Sequence, residues 1–160
     1  MIALGAIVII VVAVIVGVIL ATRGGVTGAS IADASSLQFK ADVTQGGNKT
    51  TYTYSAKNIG TSNAMLRIEQ TGSQGSFIFI VNGAQKQAWA YENGAWNNFT
   101  YLYNTYWTEW NSGLTQYKNN LSHWSGSGDY TYTDPTTGYS IRVYSISVNP
   151  SLADSLFQPS

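Results

Sequence analysis

Leu37-Gln38-Phe39-Lys40-Ala41-Asp42-Val43 and Thr51-Tyr52-Thr53-Tyr54-Ser55-Ala56-Lys57 both alternate with a period of two, large or apolar side chains against polar ones. Successive side chains of an extended chain point to opposite faces, so this alternation gives each segment one dry face and one wet one. Both read as half-buried strands. Working outward, the same reading applies to Ala64 to Gln70, Phe77 to Val81, Gln87 to Tyr91, Tyr130 to Thr133 and Tyr139 to Val148. Turn signals separate them, among them Gly46-Gly47, Asn82-Gly83, Asn93-Gly94 and Asp134-Pro135. An antiparallel sheet of six or seven strands is expected.

Between Asn98 and Trp124 the period changes. Phe99, Tyr103, Tyr106, Trp110, Leu114, Tyr117, Leu121 and Trp124 recur at helical spacing, which predicts an amphipathic aromatic helix, with Asn111-Ser112-Gly113 as a point where it could break in two. Two roles are open to the aromatic face: ordinary core that caps the sheet, or a lid over a lipid or sugar pocket.

N-terminal to the sheet, the first 22 residues carry no charge, and the run from Ile2 to Ala21 is apolar throughout. As a helix it would extend about 33 Å, the thickness of a bilayer core. It is too long for a secretory signal and no Lys or Arg precedes it, whereas a cleaved signal carries a basic leader and a shorter apolar stretch. A single-pass anchor is the plain alternative. Against it, the chain begins almost flush with the apolar run and lacks the cytoplasmic basic residues that would orient an anchor, as expected of a chain whose short charged leader has been removed. A helix apolar on every face must be buried on every side, in lipid or against copies of itself. Ala13, Gly17 and Ala21 recur every four residues and form a small-residue stripe that permits close helix packing. From Arg23 to Ser36 the composition turns to Gly, Ser, Thr and Ala, which reads as a hinge. The expected fold class is therefore α+β: a long apolar N-terminal helix over residues 1–22, a hinge over 23–36, and an antiparallel β-rich head over 37–160 that carries the amphipathic aromatic helix.

This layout, an apolar helix at the start and a small polar β-rich domain after it, resembles the archaeal type IV pilins and archaellins. The resemblance covers Met1 to about Ser30 and the general architecture. It implies removal of a short basic leader and a filament core built from bundled N-terminal helices, with Ile2, Ala6, Ile10, Ala13, Gly17 and Ala21 as packing positions. The acidic residue that bacterial pilins carry near the start is missing, since position 5 is Gly5. The head also resembles the LolA-like lipoprotein-carrier half-barrels, in which a curved sheet wraps a lipid under helical lids. That second resemblance lies in Phe77-Ile78-Phe79-Ile80-Val81-Asn82-Gly83, Ala88-Trp89-Ala90-Tyr91 and Ser147-Val148-Asn149-Pro150, and it carries over no catalytic or binding residue.

Composition narrows the function further. With 8 basic and 8 acidic side chains in 160 residues, no charge surplus draws the chain to nucleic acid. Only 10% of residues are charged, so hydroxyls and amides keep the surface wet, as in many secreted proteins. The absence of cysteine excludes disulfides, thiolate metal sites and a Cys nucleophile. His123 is the single histidine, sits in a Ser- and Asn-rich stretch without a nucleophile-elbow sequence, and reads as a surface or helix-end residue rather than a catalytic base. Asp129 and Asp134 could contribute to a calcium site, but acids flanking a strand turn are the commoner case. No phosphate-binding glycine motif is present, and no cofactor or enzymatic activity is expected. Three glycosylation sequons occur, at Asn48, Asn98 and Asn120. The expected function is a homopolymeric extracellular filament subunit for adhesion or surface interaction, membrane-embedded before assembly. The alternative is a membrane-anchored surface protein whose head binds lipid or another apolar ligand.

Overall fold

The computed structural model describes residues 31–72, 75–121, 128–133 and 138–160. Eight antiparallel strands form one sheet: β1 (Ser36–Gln45), β2 (Asn48–Lys57), β3 (Met65–Gly72), β4 (Gly75–Asn82), β5 (Gln87–Glu92), β6 (Ala95–Asn98), β7 (Tyr130–Thr133) and β8 (Ser140–Val148). Among the described residues one α-helix, α1 (Tyr103–Leu121), lies between β6 and β7 in the sequence. The strand order is β6-β5-β4-β3-β2-β1-β8-β7, so the first six strands form a meander and β8 returns to pair with β1.

This corrects the expected class. The described residues form mainly an eight-stranded antiparallel sheet with one 19-residue helix, and the long apolar helix is not found among them. The predicted helix and its packing positions Ile2, Ala6, Ile10, Ala13, Gly17 and Ala21 lie outside the described residues, as does most of the hinge. Ile31 and Ala34 are buried in the core, so the head includes them. Strands stand at all seven positions where alternation or apolar runs predict them. The eighth, β6, reads Ala95-Trp96-Asn97-Asn98, with no β-branched residue and no alternation, and takes its strand form from pairing with β5.

One face of the sheet packs under α1. Leu37, Phe39 and Ala41 of β1 share this face with Tyr52, Tyr54, Ile68, Phe79, Val81, Ile141 and Val143. Phe39 and Tyr54 are directly opposite in register and stack with centroids 4.7 Å apart. Tyr106 and Trp110, one helical turn apart, close on Phe79 at 4.9 and 4.8 Å, the first edge-on and the second tilted. The helix runs unbroken through Asn111-Ser112-Gly113. A glycine in a helix interior costs about 1 kcal/mol, less than the roughly 1.5–3 kcal/mol from burying one large apolar side chain, and Trp110 and Leu114 on either side of this segment are both buried.

The opposite face is covered in part by the C-terminal segment. Its 3-10 turn, Asp154–Phe157, places Phe157 at 1% exposure against Met65 and Ile80, with Leu152, Leu156, Ile78, Trp89 and Trp96 around them. Side chains of the sheet hold this strap by its backbone: Lys57 donates to the Leu152 carbonyl at 2.8 Å, Arg67 to that of Leu156 at 3.1 Å, Asn82 to that of Phe157 at 3.3 Å and Trp96 to that of Ser160 at 2.8 Å. Asn149, at φ 54°, begins the strap, and its Oδ1 accepts the Ser35 and Ser36 N–H groups at 2.8 and 3.3 Å. We predict that Phe157→Ala lowers the unfolding free energy by about 3–5 kcal/mol, read from the urea midpoint of the head. A change below about 1 kcal/mol would show that the strap is not part of the cooperative unit.

Candidate functional site

The seam between α1 and the sheet is where a ligand pocket under the aromatic stripe would lie. Tyr106, Trp110 and Leu114 are buried there, and Phe99, Tyr103 and Trp107 are packed against the same core. Tyr117, Leu121 and Trp124 fall on positions whose side chains are outside the described set. An opening along this seam, bordered by Met65, Val81, Trp107 and Leu114, has a cavity volume of about 10 Å³, room for a single water molecule. Gly83 shows how tight the packing is: a Cβ there would stand 2.6 Å from the Ala64 carbonyl oxygen and 2.7 Å from the Trp107 ring. The described part of the stripe is thus core.

The polar chemistry gathers on the other face, beside the strap, where β1, β2 and β8 meet. Asp42, at 5% exposure, is the focus. Its Oδ1 accepts from the Thr51 hydroxyl at 2.8 Å and from the Tyr144 hydroxyl at 3.2 Å, and its Oδ2 pairs with Lys49 at 2.7 Å. Sheet register brings the set together, since Thr51 and Arg142 are both directly opposite Asp42 on its two neighbouring strands. The Arg142 guanidinium lies 4.6 Å from the Tyr144 ring centroid and bonds Asp129 through Nε at 2.7 Å. Asp129, considered as a calcium ligand, is therefore an ion-pair partner of Arg142, and no group of three or more His, Cys, Asp or Glu able to hold a metal occurs among the described residues. Asp134 and His123 lie outside them. Sequence reading missed this cluster, although Asp42 stands out on inspection as an acid within a strand that is otherwise neutral or basic.

Burial pushes the Asp42 carboxyl up, but the hydrogen bonds from Lys49, Thr51 and Tyr144 and the Lys49 charge outweigh it and hold the carboxyl below the usual carboxylate value. The fold therefore favours the ionised form. That contribution is fully present above the unfolded carboxylate range and is lost as pH falls through the depressed range of Asp42. We predict that Asp42→Asn costs about 1–3 kcal/mol at neutral pH and flattens the acid limb of stability against pH, measured by urea unfolding from neutral into the acid range. Parallel limbs for the two proteins would rule out Asp42 as the titrating group.

The three sequons are placed differently. Asn48 is exposed at the start of β2, across the Gly46-Gly47 turn from Gln45. Asn98 is exposed at the end of the edge strand β6. Asn120 lies within α1. No described helix is long and apolar enough to cross a membrane. No protein family, curated protein or solved structure matches the chain.

Proposed function

We propose that this protein is a structural subunit of an extracellular filament resembling archaeal type IV pili. In this reading residues 1–22 associate with copies of themselves and the β-rich head is displayed outside, for adhesion or surface interaction. The observation that carries it is a mismatch within one chain. The Ile2 to Ala21 run is wholly apolar, while the described part of the head buries apolar side chains on both sheet faces, under α1 on one and under the strap on the other. With Tyr106, Trp110 and Leu114 of the aromatic stripe spent on core packing, the described head supports display rather than lipid transport. The apolar run still needs a dry environment, and self-association supplies one at about 25 cal/mol per Å² removed from water. The subunit would sit in the membrane before assembly, and its polar, weakly charged surface suits contact with surface glycans.

A charge inside such a bundle would be buried without a partner. Gly17→Glu is accordingly predicted to abolish filaments, seen by negative-stain electron microscopy of material sheared from cells, while the head keeps its urea midpoint. Normal filaments from that variant would sink the packing claim. Membrane-bound monomers of the unmodified chain, with lipid co-purifying, would favour the anchored ligand-binding reading in its place.

A further inference from the structure

We propose that Asn98 is the N-glycosylation acceptor of this chain and that the first sugar attached there lies on an aromatic ledge formed by Trp96 and Trp89. The proposal rests on the extracellular reading above. Three sequons are present, and local geometry separates them.

Asn98 ends β6, the edge strand of the sheet, and is exposed. Its Oδ1 accepts the Thr100 N–H at 2.8 Å, a turn that brings the two reading residues of the sequon together and polarises the carboxamide. The Thr100 Oγ1 accepts the Ala88 N–H at 3.3 Å, which leaves the hydroxyl proton available to donate. Asn48 lacks this arrangement. It is held in the β1–β2 ladder opposite Gln45, and the residue two places before it is Gly46. Asn120 is within a helix, and the residue two places before it is Lys118.

The ledge follows from strand periodicity. Trp96, two residues before Asn98 on the same strand, shares its face, and Trp89 is directly opposite Asn98 in register. Both indoles are half-buried against the strap cluster around Phe157. Trp96 is fixed by its hydrogen bond to the Ser160 carbonyl and by the Tyr91 ring at 5.4 Å. A pyranose has one face made largely of C–H groups, which suits a preplaced indole that loses little entropy on contact.

The chemistry is a group transfer from a lipid-linked oligosaccharide. The Asn98 amide nitrogen forms a bond to the anomeric carbon and loses one proton. The bond from that carbon to the lipid phosphate oxygen breaks, and the phosphate leaves with the electron pair.

The test is mass spectrometry of chymotryptic peptides from the full chain, secreted by a host that glycosylates a co-expressed control sequon. The expected result is a glycan on Asn98 in most copies. It should be lost in Thr100→Ala, which keeps the backbone N–H that Asn98 accepts, retained in Thr100→Ser, and reduced several-fold in Trp96→Leu, which preserves apolar burial without the ring. A bare Asn98, whether or not Asn48 or Asn120 is modified, overturns the assignment, and unchanged occupancy in Trp96→Leu overturns the ledge. Electron microscopy of the same material separates the two proposals: filaments with unmodified Asn98 overturn this one alone, and glycosylated monomers support it while overturning the filament reading.

Discussion

Strand β4 imposes the constraint on which the rest of the head depends. Phe77-Ile78-Phe79-Ile80-Val81 is apolar at five successive positions, so side chains of opposite direction must both leave water. An antiparallel sheet with one wet face cannot satisfy that sequence, and the chain meets it with two different covers. Helix α1 brings Tyr106 and Trp110 onto Phe79 from one side, and the C-terminal strap brings Phe157 onto Ile80 from the other. The covers sit where they are needed, over the middle of the meander. Away from β4, the second face turns polar and is organised by Asp42 and its partners. A single face is thus half core and half hydrogen-bonded surface, and the division follows the composition of the strands beneath.

The two covers differ in how they are held, for reasons of length and entropy. A 19-residue helix satisfies its own backbone and needs only an apolar stripe to dock. The strap beyond Pro150 has only one short 3-10 turn, and its carbonyls need outside donors. Lys57, Arg67, Asn82 and Trp96 supply them, each from a sheet position whose side chain already points to that face. Lys57 also pairs with Asp154, so that one ammonium fixes the strap at two points.

Much of this is legible in the sequence, and the parts that are not share a cause. Alternation in Leu37 to Val43 and Thr51 to Lys57 reports strands because the period is local, and the helical spacing of Tyr106, Trp110 and Leu114 reports α1 for the same reason. β6 has no such signal. Ala95-Trp96-Asn97-Asn98 becomes a strand because the Asn93-Gly94 turn folds it back on β5, with Asn93 at φ 53° and Gly94 at φ 82°. The strap has no period at all, and its role depends on residues 57 to 96 that lie far away along the chain. The Asp42 cluster is equally non-local, since Tyr144 is 102 residues from the carboxylate it serves. The small-residue stripe through Ala13, Gly17 and Ala21 lies beyond the described residues, and the apolar N-terminal helix read there is absent from the described fold, where α1 with its Asn104, Thr108 and Glu109 is of a different kind.

How such a head could take part in assembly follows from what it leaves exposed. Among its described large apolar side chains only Tyr101 stands well out of the surface, at 77% exposure. Single exposed aromatics are ordinary, and one ring does not make a patch that drives association. Under the filament proposal, hydrophobic self-association is supplied by the apolar run between Ile2 and Ala21. Contacts between heads would then be polar, built from hydroxyls, amides and the few charges, and such contacts orient partners more than they bind them. In that proposal affinity and geometry would reside in different parts of the molecule: the apolar run would set whether copies assemble, and the head, with apolar side chains buried on both sheet faces, would set what the assembly presents to its surroundings.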